Sequence, residues 1–156
     1  MQIFSFKTEL WLPQPAERVF QFFADAENLE MITPPWLHFQ ILTKAPISME
    51  AGTLIDYRLQ LRVIPLRWRT RIVQWEPPHR FVDLQIKGPY RLWRHEHVFI
   101  QTDGGTRCLD HVKYAVAGGR LVERLLVRPD VEKIFKYRKE KLLENFAPAP
   151  AQQHNS

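Results

Sequence analysis

Between Thr53 and Arg62 the chain alternates without a break: Ile55, Tyr57, Leu59 and Leu61 against Asp56, Arg58, Gln60 and Arg62. A period of two sends successive side chains to opposite faces of a strand, so this stretch predicts a strand with one buried face. The same alternation returns after an expected turn at Ile64-Pro65, where Leu66, Trp68, Thr70 and Ile72 oppose Arg67, Arg69, Arg71 and Val73. Glu76-Pro77-Pro78-His79 reads as the next turn, Arg80–Lys87 as a further strand, and Gly88-Pro89 as another break. The strand that follows, Tyr90 to Ile100, has two unlike faces. Trp93, His95, His97 and Phe99 share one, and Tyr90, Leu92, Arg94, Glu96 and Val98 share the other. Asp103-Gly104-Gly105 is a hairpin signal, and Thr106–Val116 returns antiparallel.

The two ends of the chain read differently. Residues 3–11 form an expected first strand ended by Pro13 and Pro15, after which Ala16, Val19, Phe20, Phe22 and Phe23 fall at helical spacing. Asp25-Ala26-Glu27-Asn28 begins a second short helix carrying Leu29 and Ile32, closed by Thr33-Pro34-Pro35-Trp36. Phe39–Thr43 is a short strand. Beyond Gly118-Gly119, Leu121–Val127 is apolar at helical spacing and Pro129 kinks the helix or starts a new segment. Val131, Ile134, Phe135, Arg138, Leu142 and Phe146 then continue one stripe. Residues 147–156 form a polar, proline-bearing tail expected to be disordered.

A strand, two short helices, an antiparallel meander and a long terminal helix make an α+β protein with about six or seven strands. Such a sheet buries its apolar face by curling round the last helix, and any space left between them is a pocket. The length of 156 residues suits one domain over 1–146.

Hydrophobic residues at 45% and charged residues at 25% exclude a disordered chain, and no run approaches the roughly 20 apolar residues of a membrane helix. No signal peptide is read at the N-terminus, so a cytoplasmic location is expected. Cys108 is the sole cysteine, which rules out an intrachain disulfide and gives it the role of a small buried hydrophobe. The net charge of +5 gathers in Arg62, Arg67, Arg69 and Arg71 and in Lys133, Lys136, Arg138, Lys139 and Lys141. These are either solvated faces or a surface for anionic lipid or another acidic partner. No nucleic-acid motif accompanies them, and no nucleic-acid partner is expected.

Taken together, Leu12-Pro13-Gln14-Pro15-Ala16-Glu17-Arg18-Val19-Phe20, Asp25-Ala26-Glu27-Asn28-Leu29 with Thr33-Pro34-Pro35, the Trp75–Phe81 turn and Asp103-Gly104-Gly105-Thr106 resemble the START-like superfamily. This is the helix-grip group of polyketide cyclases/dehydrases and lipid-transport proteins. The resemblance covers residues 2–146 and is nearest to a bacterial branch with a Gly88–Trp93 and His95-Glu96-His97 strand, whose domains also occur attached to nucleotide-sugar-epimerase-like proteins. It implies a helix-grip fold and a lipid, sterol, polyketide or quinone between sheet and helix. No catalytic set is common to the superfamily.

With the Trp93 face inward, the polar candidates for the cavity are Asp83, Gln85, His95, His97, Asp110 and Tyr114, and its walls are Tyr57, Trp68 and Trp93. A single bulge in the strands of Asp83 or Asp110 would reverse their face. Three chemistries compete with a plain cross-strand polar ladder. His95 or His97, oriented by Asp83 or Asp110, could move a proton on a carbonyl compound, as in cyclisation or dehydration. His95-x-His97 with a neighbouring carboxylate could hold a metal, although no third ligand is fixed by spacing, and no metal or other cofactor is expected. The aromatics could pack on an apolar ligand whose polar end meets the His/Asp/Gln cluster. Binding, with transport or sequestration, is the first expectation; a cyclase/dehydrase-like enzyme and a membrane- or protein-interaction module are the alternatives.

Overall fold

The structure, a computed structural model, describes residues 1–147. Seven antiparallel strands form one sheet: β1 (Phe4–Leu12), β2 (Gln40–Ile41), β3 (Leu54–Leu61), β4 (Ile64–Glu76), β5 (Arg80–Lys87), β6 (Leu92–Thr102) and β7 (Gly105–Ala115). Their order across the sheet is β1-β7-β6-β5-β4-β3-β2. Helices α1 (Ala16–Ala24) and α2 (Asn28–Met31) follow β1, and Pro35–Leu37 adds a single 3₁₀ turn. The terminal helix has a short lead α3 (Gly119–Val122), one π-helical turn (Glu123–Val127) and a long body α4 (Arg128–Asn145). This is the expected α+β helix-grip architecture. Apart from Ala147, the tail expected at 147–156 lies outside the described residues.

Each element follows from its pattern. On α4 the stripe Val131, Phe135, Arg138, Leu142 is buried, continued by Phe146 just past its end, and it lies along the inner face of the sheet. Leu142 and Phe146 join Leu10, Leu12, Val19, Phe20, Phe81, Phe99 and Cys108 in a core beneath α1. Val131 and Phe135 pack with Val112 and Tyr114, and a third cluster, Ala26, Ile55, Tyr57 and Leu59, sits toward the β2 edge. Gly105 is required where β7 starts against β1: a Cβ there would lie 2.3 Å from the Leu12 carbonyl oxygen and 2.6 Å from the Trp11 ring.

Two details correct the expectations, and a third, at Pro129, agrees with one of them. The β3–β4 turn is Arg62-Val63, both at positive φ (48° and 65°), and Ile64 and Pro65 already belong to β4. Pro65 is tolerated because β5 pairs with β4 only from Arg69 onward, leaving its missing donor on a free edge. Register shifts leave Val73 unpaired in β4 and Ile86 unpaired in β5. Past Val73 the alternation changes phase, which brings Trp75 inward against Phe20 and Phe81. The π-helical turn ends at Val127, two residues before Pro129, which stands at the start of α4, the segment that follows the turn.

Candidate functional site

The register of three central strands brings the polar residues together. Asp83 on β5 lies opposite His95 on β6, and His97 on β6 lies opposite both Phe81 on β5 and Asp110 on β7. All point to the inner face, toward α4. The hydrogen bonds run diagonally: His97 Nε2 is 2.7 Å from Asp83 Oδ2, and His95 Nε2 is 2.6 Å from Asp110 Oδ1. The two imidazoles stack on each other, centroids 3.6 Å apart, and His97 stacks on Phe81 at 3.9 Å.

Arg138 closes the cluster from α4. Its Nη2 lies 3.4 Å from His97 Nδ1 and 4.0 Å from Asp110 Oδ1, and its guanidinium sits beside the rings of Phe23 and Phe135. A guanidinium only donates, so this contact gives His97 Nδ1 the lone pair and puts the ring proton on Nε2, which donates to Asp83. Arg138 Nε is buried with no hydrogen-bond partner among the described residues.

The electrostatics follow from burial and from who faces whom. Burial drives the Asp83 carboxyl above the usual carboxylate range, with His95 and Arg138 pulling the other way. Burial and then His95 push His97 well below a normal imidazole, Asp110 opposing and Arg138 adding to the effect. Burial also acts to raise Asp110, but the His95 hydrogen bond, Arg138 and the two histidines outweigh it and hold that carboxyl below its ordinary value. A neutral His97 thus donates to a carboxyl of raised proton affinity, while Asp110 is the fixed anion beside the fixed cation Arg138.

Above the cluster lies a cavity of about 200 Å³. Its walls are mainly apolar: Phe22, Phe23, Leu29 and Ile32 from the helices, Ile55, Tyr57, Leu59 and Trp68 from β3 and β4, and Tyr90, Trp93 and Phe135. Its polar end is made by Asp83, His95, His97 and Arg138. Such a space suits a molecule with an apolar body and one oxygen-bearing end.

The sequence matches the family model described as "Polyketide cyclase / dehydrase and lipid transport" over residues 12–147. The chain belongs to this family. Its fold is that of the helix-grip START-like superfamily, as solved structures bear out. The Zhui aromatase/cyclase from Streptomyces sp. R1128 superposes with a TM-score of 0.73 at 14% identity, over 92% of this chain and 93% of that one. The ginseng (Panax ginseng) major latex-like protein 151 gives 0.70 at 7% identity, over 94% and 99%. A nucleoside-diphosphate sugar epimerase from Corynebacterium glutamicum gives 0.66 at 23% identity, over 90% of this chain but 28% of that one. No curated protein matches the sequence.

Within this polyketide cyclase/dehydrase and lipid-transport fold, Tyr57, Trp68, Asp83, Trp93, His95 and His97 line the cavity. Gln85, Asp110 and Tyr114, expected there, do not. Gln85 donates from Nε2 to the Tyr90 carbonyl at 2.7 Å and accepts from the Tyr90 amide at 3.2 Å, bracing the Gly88-Pro89 turn. Asp110 supports His95 from behind. Tyr114 donates its hydroxyl to the buried Glu123, which also accepts from Arg128, so it ties β7 to the terminal helix. Tyr90 reaches the cavity rather than the outer face because β6 starts only at Leu92, and its ring packs on Trp93 at 4.7 Å. Arg138 was grouped with both the basic surface and the apolar stripe; a cation standing in a buried helical stripe was the signal of its role. Cys108 is buried with its thiol pushed up to about 12, mainly by burial, and is chemically inert at neutral pH.

The grouping Asp83, His95 and His97, whose ligand atoms lie within 4.8 Å of one another, fits a metal poorly. Imidazole coordinates in its ring plane. Here the two planes are 26° apart and stacked, so their lone pairs run side by side instead of converging, and Arg138 sets a cation against His97.

Proposed function

We propose that residues 1–146 act as one domain that binds a hydrophobic or amphipathic small molecule of the lipid, quinone or polyketide kind, for carriage or sequestration. The observation that supports this is the asymmetry of the cavity: walls that are mainly aromatic and aliphatic, with Asp25, Asn28 and Thr33 from the α1–α2 segment, and one end where Asp83, His95, His97 and Arg138 gather. A ligand would lay its apolar body along Trp68, Trp93 and Phe135 and place a carbonyl, carboxylate or enolate oxygen toward Arg138. Native mass spectrometry of the purified protein, compared with its denatured mass, tests this directly. A releasable apolar ligand is expected, and its retention should fall in Arg138→Met. A wild-type protein that carries no such mass and shows no Trp fluorescence change with fatty acids or naphthoquinones would sink the reading.

A second reading rests on the Asp83–His97 pair. With the carboxyl raised and the imidazole lowered, a proton held across 2.7 Å can be exchanged with a bound carbonyl compound, the proton transfer a cyclisation or dehydration needs. Turnover of any substrate found should then be abolished by His97→Gln, and unchanged turnover would exclude His97 as the acid or base. A carrier of such ligands also has to meet the bilayers that hold them, so peripheral contact with an anionic membrane belongs to the first reading.

A further inference from the structure

Five large apolar side chains stand in solvent on two adjoining segments: Val63 and Ile64, 89% and 60% exposed, on the β3–β4 turn, and Leu121, Leu125 and Leu126, 68%, 61% and 45% exposed, on α3 and the π-helical turn. Arg62 joins the two. It donates from Nε and Nη2 to Asp130 at 3.1 and 3.0 Å and from Nη2 to the Leu126 carbonyl at 3.4 Å. Contiguous exposed apolar groups of this kind mark an interaction surface rather than scattered surface leucines.

We propose that this surface docks on an anionic lipid bilayer, with Val63 and the three leucines entering the headgroup layer.

Three observations select that partner. Among residues 118–127 the charges are Arg120, Arg124 and Glu123, and only the acid is buried, so the exposed rim is basic. Two copies pairing through this patch would press those arginines together, whereas anionic headgroups satisfy them. The turn keeps a β-branched Val63 at φ 65°, where glycine or asparagine is the unstrained choice, and leaves that side chain in solvent. The patch also borders the cavity, because Leu61, next to Arg62, and Ile134, one helical turn beyond Asp130, both line it. An apolar molecule leaving the bilayer here would enter between β3 and α4.

This extends the ligand-binding reading but is measured apart from it. The full chain is sedimented with vesicles of phosphatidylcholine alone or mixed with phosphatidylserine, at low and high salt, and its ligand mass is recorded in parallel. The wild type should partition onto the phosphatidylserine vesicles, less so at high salt. Val63→Asp with Leu125→Asp should weaken partitioning at least about tenfold through lost apolar burial, and Arg120→Glu with Arg124→Glu should remove the salt-sensitive part. All four positions are exposed, so circular dichroism and thermal unfolding should not change. Failure of the wild type to bind, or binding equal in the variants, overturns the proposal. So does a dimer in sedimentation velocity that Val63→Asp with Leu125→Asp dissolves, which would assign the patch to a second copy. Vesicle binding without ligand mass would support the docking surface while counting against carriage.

Discussion

His97 should make the protein acid-sensitive in a way that one substitution removes. Its ring is 4% exposed, stacked between Phe81 and His95, with Asp83 on Nε2, Arg138 facing Nδ1 and Asp110 3.5 Å from Nδ1. A proton added there would be buried in a dry environment, beside a second imidazole and a guanidinium, which is why its affinity for protons is pushed well below that of an ordinary imidazole. The unfolded chain has no such restriction. Above pH 6.5 the ring is neutral in both states and costs nothing. As the pH falls, the unfolded state takes up a proton that the folded state refuses, and stability drops until the folded pKa is reached. One proton per molecule corresponds to about 1.4 kcal/mol per pH unit at the limit, and to about 1 kcal/mol between pH 6.5 and 5.5, where uptake is still incomplete. Urea unfolding followed by Trp fluorescence at pH 7.5, 6.5 and 5.5 should therefore show wild-type stability falling by about 1 kcal/mol more than that of His97→Gln over the last interval. Glutamine keeps a donor for Asp83, so both proteins retain the opposing pull of that carboxyl. Parallel stability curves, or a steeper one for the variant, would refute this account of the buried pair.

Arg138→Met should lower stability by up to about 3–5 kcal/mol, because it leaves the Asp110 carboxylate buried without its cation, and retention of polar-ended ligands should fall as well; thermal unfolding and native mass spectrometry read the two effects separately. Asp110→Asn should destabilise by about 1–3 kcal/mol, since His95 loses a charged acceptor. It should also flatten the acid limb below pH 3.8, where a carboxyl of lowered pKa loses its stabilising effect as it protonates; denaturant titrations at pH 7 and below 4 check both. Tyr114→Phe leaves Glu123 buried with only Arg128 and should cost about 1–3 kcal/mol in the same titration.

The regular alternation of β3 and β6 was enough to put Tyr57, Trp93, His95 and His97 on one face, because a half-buried sheet cannot slip by one residue without exposing its whole core; Asp110 joins them because β7 pairs with β6 without a bulge, which alternation alone left open. What escaped lay where local rules compete with tertiary ones. Ile64-Pro65 carries the stronger turn signal, yet Arg62-Val63 turns, because Pro65 finds a free strand edge. Trp75 came inward through an extra residue at Val73 that no periodicity announces. Gln85 lay on the expected face, but its amide found two backbone groups of Tyr90 nearer than any ligand. The crossed pairing of the histidines is set by side-chain rotamers, which alternation does not encode. Arg138 was legible only as an anomaly, a cation in an apolar stripe.

The π-helical turn at Glu123–Val127 joins two halves of one helix. It takes one residue more than an α-helical turn, while α4 holds Val131 and Phe135 against the sheet and Leu121 and Leu125 look outward. Deleting a single residue there would restore plain α-helix and leave the two halves in nearly the same azimuth, because five residues of a π turn span about the rotation that four take in an α-helix. The turn thus absorbs one residue of chain length: the helix can lose that residue there and keep both the gripped face and the outer leucines in place.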